Sequence, residues 1–562
     1  MAGSGKVTGS HLIGRALKLE GVQNIFTLAG DHILPVLDVL ADMDFRFIDT
    51  RHEQAAVHMA DAWGRITRQP GVCMYTTPGF ANALPGLAHA LHSESPVISI
   101  SGSADLAELG RGAMQEIDQI GAATPFTKGA WLVHDARRIP DYIARAVRTA
   151  FSGRRGPVHL TIPIDVQDQE VSEAEVTFYQ PAEYRADTQI FADPHLIQQA
   201  VQLLHQADRP LIIAGGPAGY AASGEVLQRF IEATHLPLFT EDVARGLVPD
   251  DHPLCFGFFE RGLNLAARLL READVVVLLG RKQDYTIGYA HPPTIAAEAR
   301  LIQIDPSMAE IGRNRGVAVG IVGDVQAVLE QMAKEAAHLT WKPLPWLKQL
   351  QAEREGQGPW LDSLAKAETP MHAMYVHKTL ANFLSPEDCL CFDGGDFCHF
   401  GRAFHVARRP RRWWYVPTLG MLGSALPTAL AAKLAYPDAR VVALTGDGAF
   451  GFNAMELDTA VRHRLPVVGV LGNDAAWGID RQIQLGLYGR PVATDLLGSR
   501  YDLVAQGLGG HGEYVERPED LAPALERAFA SGKPALVNVA VQRAISPRAE
   551  AAIARRKSAT RP

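Results

Sequence analysis

At 562 residues the chain is too long for one hydrophobic core, since single domains usually stop at about 200 to 250 residues, so two to four domains are expected. A formal charge of −8 gives no broad basic footprint and argues against nucleic acid as a partner. The five cysteines, Cys73, Cys255, Cys389, Cys391 and Cys398, form an odd set without CxxC spacing; they suggest neither a disulfide framework nor a structural zinc site, and they suit a reducing cytoplasm.

The opening segment MAGSGKVTGSHLIGRALKLEGV alternates apolar and polar residues at helical spacing and lacks the uninterrupted apolar run of a signal peptide, so it predicts the first helix. No stretch approaches the roughly 18 apolar residues of a membrane span, and a soluble protein is expected. Three blocks of alternating short apolar strand and amphipathic helix follow, the pattern of an α/β fold with three doubly wound parallel-sheet domains. The first, 1–185, has NIFTLAG, RFIDT, GVCMYTT, PVISISG and PVHLTIP as strands. A polar stretch separates it from the second, 190–340, with RPLIIAGG, LPLFT, DVVVLLG and RLIQIDP. A segment rich in proline and tryptophan, read as irregular, leads to the third, 365–545, with CLCFDGG, RVVALTGDG, PVVGVLGND and PALVNVAV. The first and third blocks share a pattern.

The clearest chemistry sits at the tips of two strands in the third block. One ends in Gly446-Asp447-Gly448 and the next in Asn473-Asp474, with one amphipathic segment between them. Either cluster alone is what an ordinary strand-ending turn uses. Together they set hard oxygen ligands side by side beyond the carboxyl ends of parallel strands, as Mg²⁺ requires when it holds a diphosphate. Gly448 admits close backbone approach to the phosphates, and a helix beginning near Phe450 adds its dipole.

GDG, an intervening segment, then an Asn pair is the thiamine-diphosphate fingerprint. The chain resembles the thiamine-diphosphate enzyme superfamily of acetohydroxyacid synthase, benzaldehyde lyase and oxalyl-CoA decarboxylase, and is most like the 2-hydroxyacyl-CoA lyases, over nearly its whole length. The resemblance implies a pyrimidine domain at 1–185, a central Rossmann-like domain at 190–340 and a diphosphate domain at 365–545. It implies that Asp447, Asp474 and the carbonyl of Ala476 ligate Mg²⁺, with Gly446, Gly448, Ala449, Asn473, Trp477 and Gly478 bordering thiamine diphosphate. Where relatives carry the second Asn, this chain has Asp474, which adds a negative charge.

In FIDTRHEQAAVHMADAWGR, Glu53 follows a strand and opens a helix, where an acid also serves as a dipole partner. The resemblance assigns it to the cofactor's aminopyrimidine N1′, where proton sharing activates the thiazolium C2. In TTPGFANALPGLAHAL, Pro78, Gly79 and Asn82 match the turn beside the pyrimidine. In VPTLGMLGSALP, Gly420 matches the carbonyl that receives the 4′-amino group, and Leu422 the side chain that wedges under the bent cofactor; a plain core leucine is the competing reading. His32, in TLAGDHILPVLDVL, resembles in position the active-site histidine of benzaldehyde lyase, and Gln115, in RGAMQEIDQIG, matches the family's active-site glutamine. Either could position or deprotonate a substrate 2-hydroxyl.

Residues 546–562 form a basic tail after the last strand. It continues from Arg543 and holds Arg548, Arg555, Arg556, Lys557 and Arg561; such a run is either a solvated terminus or, by resemblance to acyl-CoA-handling relatives, a lid over a thioester. Asp480 and Gln484 are candidates for substrate contacts in the helix after the second metal motif. Asp305 ends a strand where a nucleotide ribose of ADP or CoA could be held, whereas AGGPAGYAASGE is an incomplete GxGxxG and counts against retained FAD. The resemblance as a whole implies a lyase that cleaves a 2-hydroxyacyl-CoA to formyl-CoA and an aldehyde or ketone, reversible as an acyloin-type condensation. Carboligation or cleavage of free acyloins and acetolactate synthesis are the alternatives, and Glu53 beside an intact metal motif opposes a non-catalytic binding protein. It also implies a cytoplasmic homodimer or homotetramer with active sites at the subunit interface, acting on a small molecule, acyl-CoA or acyloin, without nucleic-acid or membrane partners.

Overall fold

The computed structural model describes residues 5–185, 189–221 and 223–559. The chain divides into two compact units: one joins the residues up to 185 with Val416–Asp438 and Asn453–Leu465, the other holds the rest.

In the first unit a short strand, β1 (Lys6–Thr8), precedes the expected first helix, Gly9–Leu19. The sheet strands are β2 (Asn24–Leu28), β3 (Arg46–Asp49), β4 (Gly71–Tyr75), β5 (Val97–Ser103), β6 (Ala130–Leu132) and β7 (Val158–Pro163). β8 (Glu170–Ser172) pairs antiparallel with β1. The six sheet strands run parallel in the order β3-β2-β4-β5-β7-β6. β4, β5 and β7 are buried throughout, as expected of strands covered by helices on both faces. Strand order reverses between β2 and β4, which makes the crevice beyond their carboxyl ends the expected ligand position. Helix Glu53–Thr67 packs against both helix Thr77–His92 and helix Ala425–Ala435.

The second unit contains two sheets. Its first is built from β9 (Pro210–Ala214), β10 (Leu238–Thr240), β11 (Cys255–Phe258), β12 (Val275–Leu279), β13 (Arg300–Asp305) and β14 (Val319–Val322), in the order β11-β10-β9-β12-β13-β14 of a Rossmann-type sheet. Its second is built from β15 (Cys389–Phe392), β16 (Trp413–Trp414), β17 (Val441–Gly446), β18 (Val468–Asn473), β19 (His511–Val515) and β20 (Ala535–Ala540). The order β16-β15-β17-β18-β20-β19 repeats the topology of the N-terminal sheet, so the shared pattern of the first and third blocks is a shared fold. Its reversal falls between β15 and β17.

Two expectations are corrected. The segment rich in proline and tryptophan is a helix, Pro345–Leu364: Pro345 stands in its first turn, where the missing N–H costs nothing, and Trp346, Leu347, Leu350 and Leu361 are buried. The helix after β17 opens at Asp447 rather than near Phe450. All five cysteines are buried free thiols, and among the described residues no helix is long and apolar enough to cross a membrane.

Candidate active site

In the N-terminal unit the chain leaves β3, turns through Arg51 and His52, and enters its helix at Glu53. The His52 ring caps that helix by accepting the Gln54 N–H at 3.1 Å. Glu53 is buried, and its Oε2 accepts a hydrogen bond from Asn82 Nδ2 at 3.0 Å. Its Oε1 lies only 2.6 Å from the point a Cβ on residue 79 would occupy, so Gly79 is glycine because any side chain would displace the carboxylate. Pro78 stands in the first turn of the same helix as Asn82. The structure therefore brings Glu53, Pro78, Gly79 and Asn82 together as the sequence suggested.

One residue of this arrangement escaped the sequence reading. Glu456 accepts the Arg51 N–H at 3.0 and 3.2 Å, the His52 N–H at 3.1 Å and the Thr459 hydroxyl at 2.6 Å. It thereby grips the two peptides immediately before Glu53. Burial pushes its carboxyl up to about 7. In sequence it stands in ELDTAV, an amphipathic segment with nothing to mark it.

His32 is buried in the turn Asp31–Ile33, not solvated. Its N–H reaches Thr76 Oγ1 at 3.4 Å, its Nδ1 lies 3.2 Å from Thr77 Oγ1, and its carbonyl accepts Gln167 Nε2 at 2.7 Å. β5 passes so close that a Cβ on Gly102 would sit 1.9 Å from the His32 oxygen. The structure does not bring Gln115 to His32. Gln115 is exposed, has φ 57°, and its side chain makes no hydrogen bond among the described residues. Its neighbour Glu116 orders this loop by accepting the N–H groups of Gly110, Gly112 and Ala113. The glutamine that this segment turns inward is Gln119, buried and bonded to Thr77, the partner of His32 Nδ1, at 3.1 Å. Gly420 has φ 71° and donates its N–H to Pro417 at 2.9 Å; it is exposed, and Leu422 is half-buried rather than core.

In the C-terminal unit Gly446 and Gly472 are partners at the ends of β17 and β18, which sets Asp447 and Asp474 on adjoining turns. The two carboxyl groups share a hydrogen bond, and Asp447 Oδ2 is buried without a partner. Burial, and for Asp474 also the charge of Asp447, pushes both groups above the usual carboxylate range. Two touching carboxylates with an orphaned buried oxygen fit a hard cation. Among the described residues no group of three or more His, Cys, Asp or Glu could hold a metal, so the remaining oxygens would come from the Ala476 carbonyl, phosphate and water. Asn473 is spent on structure: Oδ1 accepts the Ala475 N–H at 3.2 Å, and Nδ2 donates to the Ser499 carbonyl at 3.1 Å and to Asn538 at 3.2 Å. A Cβ at Gly448 would press on the Trp477 ring at 2.8 Å, and Ala449 is buried. One at Gly478 would meet Asp474 Oδ2 at 2.7 Å and Asp396 Oδ2 at 3.4 Å, which reveals a third carboxylate at the β15 side of the strand reversal. Burial pushes Asp396 up to about 6.

Most of the tail forms a helix, Pro547–Ala559; Arg561 lies outside the described residues. Arg543 is a clamp, donating Nε to the Asp474 carbonyl and Nη2 to the Ala475 carbonyl, both at 2.8 Å. Helix Pro547–Ala559 lies on helix Gly478–Tyr488, with Ile553 against Gly486. Trp477, Asp480, Tyr488, Thr494 and Arg556 line a cavity of about 470 Å³ beside it. Gln484 also borders it, and its amide braces the following loop through the Val492 N–H at 2.6 Å and the Val492 carbonyl at 3.1 Å. In the central sheet Asp305 is fully buried and accepts the Ser307 N–H at 2.9 Å. The Gly215 turn is packed against Arg281, whose guanidinium bonds Glu241, Asp284 and Thr286. Chain side chains thus fill part of the crevice where a dinucleotide would lie.

Three successive stretches match the thiamine pyrophosphate enzyme domains: the N-terminal TPP binding domain over 7–122, the central domain over 197–332 and the C-terminal TPP binding domain over 393–539. The chain belongs to the thiamine pyrophosphate enzyme family, and it is a thiamine-pyrophosphate-dependent enzyme. Among its relatives, an acetolactate synthase large subunit of Mycobacterium tuberculosis is 35% identical over 550 residues, 94% of this chain and 95% of the relative. A 2-hydroxyacyl-CoA lyase of Oryza sativa subsp. japonica is 31% identical over 560 residues, 95% of this chain and 96% of the relative. An oxalyl-CoA decarboxylase of Escherichia coli K12 is 32% identical over 548 residues, covering 95% and 94%.

Proposed function

We propose that the chain is a thiamine-diphosphate and Mg²⁺ dependent carbon–carbon lyase that cleaves a 2-hydroxyacyl-CoA to formyl-CoA and an aldehyde or ketone, reversible as an acyloin-type condensation and working as a homodimer or homotetramer. The observation that carries the thioester substrate is the tail helix with Arg556 on the cavity beside Trp477, where a cation suits the phosphates of CoA. A relative named 2-hydroxyacyl-CoA lyase, matched over 96% of its length, agrees with this reading.

Bound thiamine diphosphate supplies the nucleophilic carbon and the electron sink. Asp447, Asp474 and the Ala476 carbonyl would hold Mg²⁺ against its diphosphate. Glu53, kept in place by Asn82 and by the Glu456 grip on its preceding peptides, shares a proton with the aminopyrimidine. His32 takes the proton of the substrate 2-hydroxyl as the C1–C2 bond breaks and the carbonyl fragment leaves. A proton returned to the acyl carbon completes formyl-CoA, so the reaction balances without an oxidant. Gln115, outward on its loop, is assigned to substrate binding. The packed Gly215 turn supports a central domain that retains no FAD.

The second reading is an acetolactate synthase acting on 2-ketoacids, favoured by the 35% identity to proteins of that name. A lyase of free acyloins is the third, favoured by His32. Purified holoenzyme offered a 2-hydroxyacyl-CoA, a free acyloin or pyruvate, with products followed by mass spectrometry, separates the three. Formyl-CoA is the expected product; CO₂ from pyruvate alone, or aldehydes from free acyloins alone, would sink the proposal.

A further inference from the structure

Beneath His32 a run of buried polar side chains crosses the N-terminal sheet, and its hydrogen bonds have one consistent direction. Gln119 sets that direction. Its Nε2 lies 2.9 Å from the carbonyl of Gly102, which can only accept, so the amide orientation is fixed. The same nitrogen donates to Thr77 Oγ1 at 3.1 Å, and Oε1 accepts the Thr161 hydroxyl at 3.2 Å. With its proton so used, Thr161 accepts from His159 Nε2 at 3.0 Å; His159 Nδ1 is then bare and receives the Ser99 hydroxyl at 2.9 Å, and Ser99 accepts from Tyr75. Burial keeps these groups neutral, holding His159 down to about 3 and the Tyr75 phenol up.

At the other end Thr77 donates its hydroxyl to the same Gly102 carbonyl at 3.1 Å. That was its only proton. The 3.2 Å contact between Thr77 Oγ1 and His32 Nδ1 is therefore a hydrogen bond only if the imidazole donates. His32 Nε2 has no partner among the described residues and is the nitrogen open to a ligand. His32 follows β2 and Thr77 follows β4, so the pair flanks the reversal of strand order where a ligand is expected.

We infer that Thr77, oriented by Gln119, is a positioning residue that keeps a proton on His32 Nδ1 and makes Nε2 the atom that exchanges a proton with the substrate hydroxyl. The second half rests on the role given to His32 under Proposed function.

Long-range ¹H–¹⁵N correlation spectra of the full chain, recorded without cofactor, report which imidazole nitrogen carries the proton. Wild type should show protonated Nδ1, Thr77→Val or Thr77→Ala a mixture of tautomers, and Thr77→Ser the wild-type pattern. A wild-type proton on Nε2, or Thr77 variants with unchanged tautomers, would overturn the inference. With holoenzyme, Thr77→Val should lower kcat about tenfold while KM and hydrogen–deuterium exchange at the thiazolium C2 stay unchanged, the lower end of general acid–base effects. A parallel fall in C2 exchange overturns it, because the whole site and not His32 would then have been disturbed. Full activity of His32→Ala with Nδ1 protonated in wild type would refute the proton exchange at Nε2 and leave the hydrogen-bond assignment standing.

Discussion

The two thiamine-pyrophosphate-binding domains share one strand topology, yet their functional ends are finished to different degrees. In the N-terminal domain the groups around Glu53 are held by protein partners: Asn82 holds one carboxylate oxygen, Glu456 holds the peptides before it, and the Thr77 and Gln119 network holds His32 through Nδ1. In the C-terminal domain the carboxyl groups of Asp447 and Asp474 face each other, with one buried oxygen of Asp447 unpaired. A site that must place one proton is built rigid from hydrogen bonds. A site that must hold a multiply charged ligand is left with surplus charge that a cation completes.

That contrast can be broken from either side. Glu53→Gln should cut hydrogen–deuterium exchange at the cofactor C2 by roughly 1000-fold, within the range of general acid–base effects, while leaving cofactor affinity near wild type. Near-normal exchange would contradict its role. Gly79→Ala should lower the same exchange about tenfold, because a methyl 2.6 Å from Glu53 Oε1 shifts a carboxylate that must be placed to a fraction of an ångström. Glu456→Gln should do so to a smaller degree, since an amide oxygen still accepts one of the two peptide N–H groups; unchanged exchange would reduce Glu456 to a structural part.

The smallest effect is on stability. Glu456 is raised from 4.5 to about 7 by burial, and Asp474 is raised as well. At Glu456 the folded chain therefore keeps a proton that the unfolded chain has lost, so this group's contribution to stability falls as pH rises from the ordinary carboxylate range to about 7, while buried neutral histidines such as His159, His377 and His399 contribute the opposite slope. Thermal unfolding in EDTA between about pH 5 and pH 7 should isolate this contribution as a stability difference, wild type minus Glu456→Gln, that falls as pH rises. A difference that stays constant over that window would show Glu456 to be ionised in the folded chain.

The strands that lie inside the three sheets were all legible, because each is a short apolar run ended by a turn. Those missed, β6, β11, β14, β16 and β19, are all edge strands, where one neighbour suffices and polar or very short segments such as HGEYV and WW can pair. Glu53, Asp447 and Asp474 were legible for a similar local reason, since each stands at a strand end in a readable motif. Glu456 and Gln119 were not. Their work depends on contacts with residues far away in the chain, and Gln115, four positions before Gln119 in the same loop, carries the identical side chain on the outside.

The most direct test of the contrast is calorimetric titration of thiamine diphosphate into wild-type protein, with Mg²⁺ and with EDTA, repeated for Asp447→Asn. Strong binding with Mg²⁺, its loss in EDTA, and a roughly 100-fold weakening in the variant, about 3 kcal/mol for a buried charged partner, are expected. Equal binding with and without a divalent cation would show that the C-terminal domain, like the N-terminal one, is complete on its own.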